Sequence, residues 1–340
     1  MDTRPVNLFD YEPLAQARME PDAWNYFQSG SDDEVTLREN RAAFERIRLR
    51  PRVLVDVSAC DTTTTVLGTP IAAPIMVSPS AFHCLAHPEG ECATAAGTGA
   101  AGALMVASTS STRSMEEIAA AASGPLWFQL YVHDRPRTQA LVERAARAGY
   151  RALVVTVDAP YWGHKERSIR MGFALPPTMR KANFIDSPPI DADPSMTWET
   201  IDWLRSITSL PIVLKGILTG EDAELAMRHH VAGIVVSNHG GRQLDGSVSS
   251  IDALPEVVEA VGSRVEVYID SGIRRGTDVL KALALGARAA LLCRPILWAL
   301  AADGAHGVEQ AIGLLRKELG LAMALSGRPT IADIDCSLIR

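Results

Sequence analysis

One short stretch of the sequence, residues 235–245, combines side chains suited to proton transfer and to anion binding. It reads Val-Val-Ser-Asn-His-Gly-Gly-Arg-Gln-Leu-Asp, so His239 and Arg242 stand three positions apart after an apolar run. The unperturbed pKa of histidine lies near neutrality, and an arginine fork can grip a carboxylate with two hydrogen bonds. The intervening glycines permit a tight turn and a close approach to a flat ligand. A lone histidine after a strand is more often structural, but the whole stretch predicts a base beside an anion clamp.

Composition favours a globular protein that acts on a small molecule. The chain has 340 residues, of which 47% are hydrophobic and 21% charged, and its net charge of -7 argues against nucleic acid or an anionic membrane as a partner. No apolar run approaches the length of about 18 residues that spans a bilayer, and no signal peptide precedes the helices, so we expect a cytoplasmic protein. The five cysteines include no C-x-x-C pair, which indicates neither a disulfide framework nor a metal site.

The chain is expected to form one domain over residues 1–340, with a helical cap at residues 1–70, a barrel at 71–325 and a C-terminal tail at 326–340. In the cap, Leu8 to Arg18, Pro21 to Gln28 and Thr36 to Arg46 have the pattern of helices. Tyr26 lies in the second of these helices, where buried aromatic packing is its simplest role.

From Pro70 onward the chain repeats an apolar β-branched run followed by an alanine-rich helical stretch. The eight runs are Ile71–Val77, Ala103–Ala107, Leu126–Tyr131, Ala152–Val157, Pro211–Lys215, Gly233–Val236, Val265–Ile269 and Ala289–Leu292. Such continuous hydrophobicity is typical of parallel strands buried on both faces. Eight βα units in this length predict an α/β fold, a (β/α)8 TIM barrel, with an open doubly wound sheet as the alternative.

Polar and small side chains follow the strands at their carboxyl ends, and this favours the barrel. In a barrel the chemistry comes from the ends of many different strands. The last two turns form the usual phosphate site, where free backbone N–H groups at a helix start and an arginine bind the anion. The residues in question are Ser80, Ala81, Ser108, Ser110, Gln129, Tyr131, Thr156, Asp158, Lys215, Ser237, Asp270, Gly272, Arg274 and Arg294. A literal G-x-G-x-x-G at residues 97–102 is set aside, because it ends a helix and precedes a strand, the reverse of a dinucleotide-binding turn.

Several motifs together resemble the FMN-dependent α-hydroxy-acid oxidase and dehydrogenase family. Besides residues 235–245, they are His-Pro-Glu-Gly-Glu at 87–91, Val-Leu-Lys-Gly at 213–216 and Lys-Ala-Leu-Ala-Leu-Gly-Ala at 281–287. The resemblance spans nearly the whole chain. It implies FMN as the cofactor, a small 2-hydroxy acid as the substrate and a homo-oligomer, expected to be a tetramer.

The resemblance also implies roles for individual residues. His239 would take a proton from the substrate, Asp158 would stabilise the resulting imidazolium, and Arg242 would bind the substrate carboxylate. Tyr26 and Tyr131 would hydrogen-bond substrate oxygens. The FMN contacts would come from Ser80, Ala81, Ser108, Gln129, Thr156, Lys215, Ser237, Asp270, Gly272, Arg274 and Arg294, with Lys215 beside flavin N1 and the two arginines at the phosphate.

Three departures from the family pattern bear on the substrate. Lys165 stands where the family has a second carboxylate-binding arginine, so the charge is kept and the fork is lost. Ser110 stands where glycolate oxidase has a bulky residue, which predicts a roomier pocket. The segment 185–197 is shorter than the mobile lid of many family oxidases.

These observations predict oxidation of an L-2-hydroxy acid with a bulky, mandelate-like or long aliphatic side chain to the 2-oxo acid. Electrons would pass from FMN to O2 and give hydrogen peroxide. Two alternatives stay open: a dehydrogenase of the same family that uses a quinone or another carrier, and a flavin-binding barrel with altered or lost activity.

Overall fold

A closed barrel of eight parallel strands forms the centre of the molecule. The computed structural model describes residues 4–184 and 193–340. The strands are β3 (Ile75–Val77), β4 (Leu104–Ser108), β5 (Leu126–Leu130), β6 (Leu153–Thr156), β7 (Ile212–Ile217), β8 (Gly233–Val236), β9 (Glu266–Ile269) and β10 (Ala289–Leu292), and β10 closes the barrel on β3. The predicted (β/α)8 barrel is confirmed.

Helices follow the strands around the barrel. They are α4 (Glu91–Ala100), α5 (Met115–Ala121), α6 (Arg135–Arg147), α7 (Glu166–Arg170), α8 (Trp198–Ile207), α9 (Gly220–Arg228), α10 (Ser250–Val261), α11 (Gly276–Ala284) and α12 (Arg294–Ser326). Non-helical backbone at Asp303 and Gly304 breaks α12 into two parts. Within the described ranges, no helix has the length and hydrophobicity needed to cross a membrane.

The first predicted strand, Ile71–Val77, was wrong in its extent. Ile71 belongs to an antiparallel hairpin of β1 (Thr64–Val66) and β2 (Thr69–Ile71), and only residues 75–77 join the barrel. Pro74 lies between them, and a residue without a backbone N–H interrupts a strand ladder. Val66 and Ile71 of the hairpin pack into the apolar interior of the barrel together with Met76, Trp127 and Tyr268.

The N-terminal cap consists of α1 (Tyr11–Gln16), α2 (Pro21–Gln28) and α3 (Val35–Arg46), preceded by a 3-10 turn at Leu8–Asp10. The second helix has its predicted bounds, and the predicted Leu8–Arg18 helix is shorter and begins as that turn. Asp245, in the loop after β8, accepts hydrogen bonds from the first two backbone amides of α3, at 3.1 and 2.8 Å. The cap therefore lies against the carboxyl ends of the strands.

Candidate active site

A cavity of about 300 Å³ opens at the carboxyl end of the barrel. His239, in the loop after β8, lines it, and Asp158, in the loop after β6, lies behind the imidazole with Oδ1 3.0 Å from His239 Nδ1. This contact orients the ring and leaves Nε2 for the cavity. Burial lowers the pKa of His239 more than the charge of Asp158 raises it. The imidazole is therefore neutral near pH 7 and able to accept a proton.

The carboxylate behind His239 is held in its charged form. Burial by itself would raise the pKa of Asp158, but its interaction and hydrogen bond with the His239 ring and the charge of Lys215 bring that pKa below the ordinary value. Asp158 Oδ2 is buried and has no hydrogen-bond partner among the described residues. An ionised carboxylate in this position favours a positive charge on the imidazole once a proton has been taken up.

The loop that carries His239 has an unusual backbone that the cap supports. His239, Gly240 and Gly241 all have positive φ, at 58°, 68° and 72°. A residue with a β-carbon at such a φ is strained and persists only where its surroundings hold it. Here Asn238 exchanges two hydrogen bonds with Asn40 of α3, at 2.7 and 2.9 Å, in a buried contact.

A bulge in β7 brings Lys215 and Asp158 into place. Gly216 has φ +118°, and a β-carbon there would lie 2.6 Å from the Asp158 side chain. Lys215 Nζ lies 3.2 Å from Asp270 Oδ2 and 3.0 Å from Ser237 Oγ. Burial lowers the pKa of Lys215, but Asp270 and Asp158 outweigh this and raise it. The cavity therefore contains a buried cation that stays charged.

Arg242 and two tyrosines line the part of the cavity under the cap. Arg242 Nη1 donates to the carbonyl oxygens of Tyr26 and Ser29, each at 2.7 Å, and the guanidinium lies over the Tyr26 ring at 5.1 Å. Burial raises the pKa of the Tyr26 phenol and outweighs the charge of Arg242 and a hydrogen bond between the two side chains, which lower that pKa. Burial, followed by the charge of Asp158, raises the pKa of Tyr131, so its hydroxyl remains a hydrogen-bond donor.

Three neighbouring strand ends form a polar ledge along the cavity. Gln129 Nε2 donates to Thr156 Oγ1 at 2.9 Å, and Ser108 Oγ donates to Gln129 Oε1 at 3.0 Å. The register pairs Ser108 with Gln129 and Thr156 with Lys215, and because Gln129 pairs with Val154, the second pair lies two residues further along its strands than the first. These two hydrogen bonds fix the orientation of the Gln129 amide in the absence of a ligand.

Arg274 and Arg294 line the cavity without carboxylate partners. Burial lowers the pKa of Arg274 to about 10 and that of Arg294 to about 9. Arg294 donates instead to the carbonyls of Phe27 and Gly240, and Arg274 lies over the Trp298 ring. Within the described ranges no ion pair reaches either guanidinium. Two unpaired cations facing one cavity fit a doubly charged anion such as a phosphate monoester.

The backbone amides at residues 274–276 are not free to bind an anion, contrary to the expectation from the sequence. The backbone amides of Arg274 and Arg275 donate to Asp278 Oδ2, and that of Gly276 donates to Glu318 Oε2. The first turn of α11 is therefore already satisfied by carboxylates. Anion binding at this end falls to the guanidinium groups and to the start of α12, where Cys293 and Arg294 line the cavity. No group of acidic, histidine or cysteine side chains suited to a metal ion is found in the described part of the chain.

Comparison with known proteins gives one consistent result. Residues 15–340 match the model of the FMN-dependent dehydrogenase family. The chain is 52% identical to L-lactate oxidase of Nostoc sp., with 98% of each covered, and 46% identical to glycolate oxidase of Spinacia oleracea, with 98% of this chain and 95% of that one covered. A solved structure of mandelate oxidase with benzoyl-formic acid superposes with a TM-score of 0.94 at 44% identity, covering 99% of this chain and 98% of that one.

The chain belongs to the FMN-dependent dehydrogenase family. FMN is its cofactor. The cavity fits this group, because the polar ledge, the buried Lys215 and the two arginines without carboxylate partners, Arg274 and Arg294, all line it. Lys215, Gln129, Thr156 and Ser108 would hold the ring system, and the two arginines would hold the phosphate.

The cavity of this family member brings together most of the residues proposed from the sequence. His239, Arg242, Tyr26, Tyr131, Lys165, Ser110, Ser80, Ala81, Ser108, Gln129, Thr156, Lys215, Asp270, Gly272, Arg274 and Arg294 all line it. Asp158 and Ser237 do not. Asp158 lies behind His239, and Ser237 Oγ accepts hydrogen bonds from the Lys215 ammonium and the His239 amide. The expected contact of Ser237 with the flavin stays a prediction.

Sequence reasoning missed several cavity-lining residues, among them Phe82, Trp162 and Lys181. Trp162 lies between Asp158 and Lys165 in one loop. Because both of these were predicted site residues, the sequence could have indicated that Trp162 also lines the cavity. Lys181 precedes Ala182, whose amide donates to the Ser111 carbonyl at 2.9 Å, so its neighbourhood depends on a long-range contact. The expected short lid, residues 185–197, lies partly outside the described residues.

Proposed function

We propose that this enzyme oxidises (S)-2-hydroxy acids to 2-oxo acids, with O2 as the electron acceptor and hydrogen peroxide as the second product. The observation that carries the proposal is the His239–Asp158 pair, which lies beside Arg242 at a cavity that Arg274 and Arg294 also line. The named relatives are oxidases of lactate, glycolate and mandelate. Benzoyl-formic acid, bound in the mandelate oxidase structure, is itself a 2-oxo acid.

Different residues position the substrate and take up its proton. Arg242 binds the substrate carboxylate through its remaining donors, since Nη1 is held by the carbonyls of the cap. Tyr26 and Tyr131 donate hydrogen bonds to substrate oxygens. Nε2 of His239 takes a proton from the substrate, and Asp158 stabilises the imidazolium across the 3.0 Å contact.

The redox part of the reaction needs the cofactor. When bound, FMN accepts the two electrons that the substrate loses on going from alcohol to ketone. Lys215 places a fixed positive charge in the wall of the cavity, where negative charge develops as those electrons arrive. Ser237 and Asp270 hold that ammonium in position.

We infer that the substrate has a bulky, mandelate-like or long aliphatic 2-substituent. Ser110 is buried and contributes only a hydroxymethyl group to the cavity wall. Lys165 supplies a second cation near Arg242, but a single ammonium holds a carboxylate less rigidly than a guanidinium does. Affinity for the carboxylate therefore rests mainly on Arg242.

The experiment that tests the proposed function is reduction of bound FMN by a 2-hydroxy acid in wild-type protein and in His239→Ala. The variant should keep its yellow FMN but lose roughly 10²-fold to 10⁴-fold in the rate of reduction, because a general base contributes about that much. His306→Ala, a change at an exposed histidine on α12, is the matched control and should reduce normally. Near-normal reduction by His239→Ala would mean that another group takes the proton.

We also propose a cytoplasmic homotetramer. Val53, Leu54, Leu321 and Leu325 are exposed apolar side chains on two segments that meet where the Arg52 amide donates to the Ser326 carbonyl. Exposed apolar side chains grouped in this way are typical of subunit contacts. Light scattering at working concentration should give the mass of an oligomer, and a monomer would refute this part of the proposal.

A further inference from the structure

Trp162 stands at the mouth of the cavity, in the loop between Asp158 and Lys165. Its side chain is 43% exposed and lines the same cavity as Ser110. The indole meets the Tyr131 ring edge-on, with centroids 5.3 Å apart and an interplanar angle of 81°. Lys165 Nζ lies 5.8 Å from the indole centroid. A large flat side chain therefore stands directly beside two residues of the proposed substrate site.

The position of Trp162 suits contact with the substituent on C2 of a substrate. A carboxylate held by Arg242 and Lys165 leaves the substituent on C2 only a few bonds away, within reach of the indole next to Lys165. Ser110 adds no bulk of its own to the wall, so a ring-sized group is not blocked on that side. The indole is then the apolar surface that a large 2-substituent meets near the entrance.

We infer that Trp162 is a specificity-determining residue that selects 2-hydroxy acids with a planar aromatic 2-substituent over saturated rings of equal size. Two aromatic rings at centroid distances of about 4.5–7 Å gain roughly 0.5–1.5 kcal/mol beyond the area they bury. A cyclohexyl ring buries a similar area without that gain. The inference deepens the proposed function and rests on it.

The test compares mandelate with its cyclohexyl analogue, hexahydromandelate, as substrates. Replacing Trp162 with leucine should lower the ratio of kcat/KM for mandelate to kcat/KM for hexahydromandelate by about two- to tenfold, which corresponds to the ring–ring term. Trp162→Phe should keep most of the ratio. Tyr161→Leu is the matched control, because Tyr161 is the neighbouring aromatic residue, is 76% exposed and is not among the described residues that line the cavity.

A binding measurement removes any dependence on turnover. Kd values for benzoylformate and cyclohexylglyoxylate, read from the absorbance of the oxidised flavin, should show the same loss of aromatic preference in Trp162→Leu. An unchanged ratio in both measurements, with both acids still oxidised, would overturn the inference and leave the proposed function standing. Failure of every 2-hydroxy acid to reduce the wild-type flavin would instead overturn the proposed function, and the inference with it.

Discussion

At the scale of single residues, Lys165 gives the substrate site a titratable cation. Burial, reinforced by the charge of Arg242, lowers the pKa of Lys165 to about 8. In the proposed site, the ammonium is charged and binds the substrate carboxylate below that pH, and above it the charge is lost. A charge-assisted hydrogen bond contributes roughly 1.5–3 kcal/mol, so kcat/KM should fall by about tenfold or more on the alkaline side.

A kcat/KM profile against pH measures this directly, because it reports the pKa values of the free enzyme. Lys165→Arg is the matched variant, since its guanidinium stays charged throughout the range. The alkaline limb should move to higher pH in that variant. The same limb in both proteins would show that Lys165 does not govern carboxylate binding.

Ser110 should set the size of the preferred substrate. An aromatic side chain buries roughly 150–250 Å², and half that burial at about 25 cal/mol/Å² is worth roughly 2–3 kcal/mol. We expect kcat/KM for mandelate or 2-hydroxyoctanoate to exceed that for glycolate by at least about tenfold, a gap of roughly 1.4 kcal/mol. Ser110→Trp should reverse the order. Glycolate as the best substrate of wild-type protein would mean that Trp162 or Lys181 already fills the space.

At the scale of elements, the bulge in β7 should be indispensable for the His239–Asp158 pair. An alanine at Gly216 would be strained at φ +118° and would push its β-carbon to 2.6 Å from Asp158. Gly216→Ala should therefore displace Asp158 and slow flavin reduction by tenfold or more, on the order of 1.4 kcal/mol. Gly313→Ala is the control, because no atom lies within 4 Å of a β-carbon there.

Stopped-flow reduction and thermal unfolding separate the effects of these two substitutions. The Gly313→Ala protein should reduce normally and unfold at the same temperature or slightly higher, as an alanine in a helix usually allows. If Gly216→Ala also reduces at the normal rate, the loop after β6 absorbs the extra atom, and the bulge does not position Asp158.

The sequence predicted the barrel strands because each buried run is apolar, β-branched and followed by a helix. It mispredicted the first strand, since the continuous apolar run Ile71–Val77 hides the change from hairpin to barrel at Pro74. It also assigned free amides to the start of α11, where Glu318, on α12, already accepts the Gly276 amide. A backbone amide that donates to a side chain far away in the sequence leaves no pattern in the residues around it.

At the scale of the whole molecule, the site could be predicted because a barrel gathers the strand ends at one face. Residues such as His239, Arg242 and Arg294 needed only that rule to be placed together. That rule does not predict the roles of Trp162 and Ser237, because these roles depend on the direction in which a loop or side chain turns after the strand. Ser237 turns to Lys215 at 3.0 Å, and Trp162 turns its edge to Tyr131.

The central claim concerns the whole catalytic cycle: a 2-hydroxy acid gives two electrons to the bound FMN, and O2 takes them away. The most direct measurement is double-mixing stopped flow, in which the enzyme is reduced anaerobically by (S)-mandelate and then mixed with dissolved O2 or with a quinone. We expect rapid reduction, then reoxidation by O2 at a rate that supports turnover, with hydrogen peroxide formed in stoichiometric amount. Reduction followed by reoxidation that only the quinone makes fast would contradict the oxidase, and no reduction by any 2-hydroxy acid would contradict the whole account.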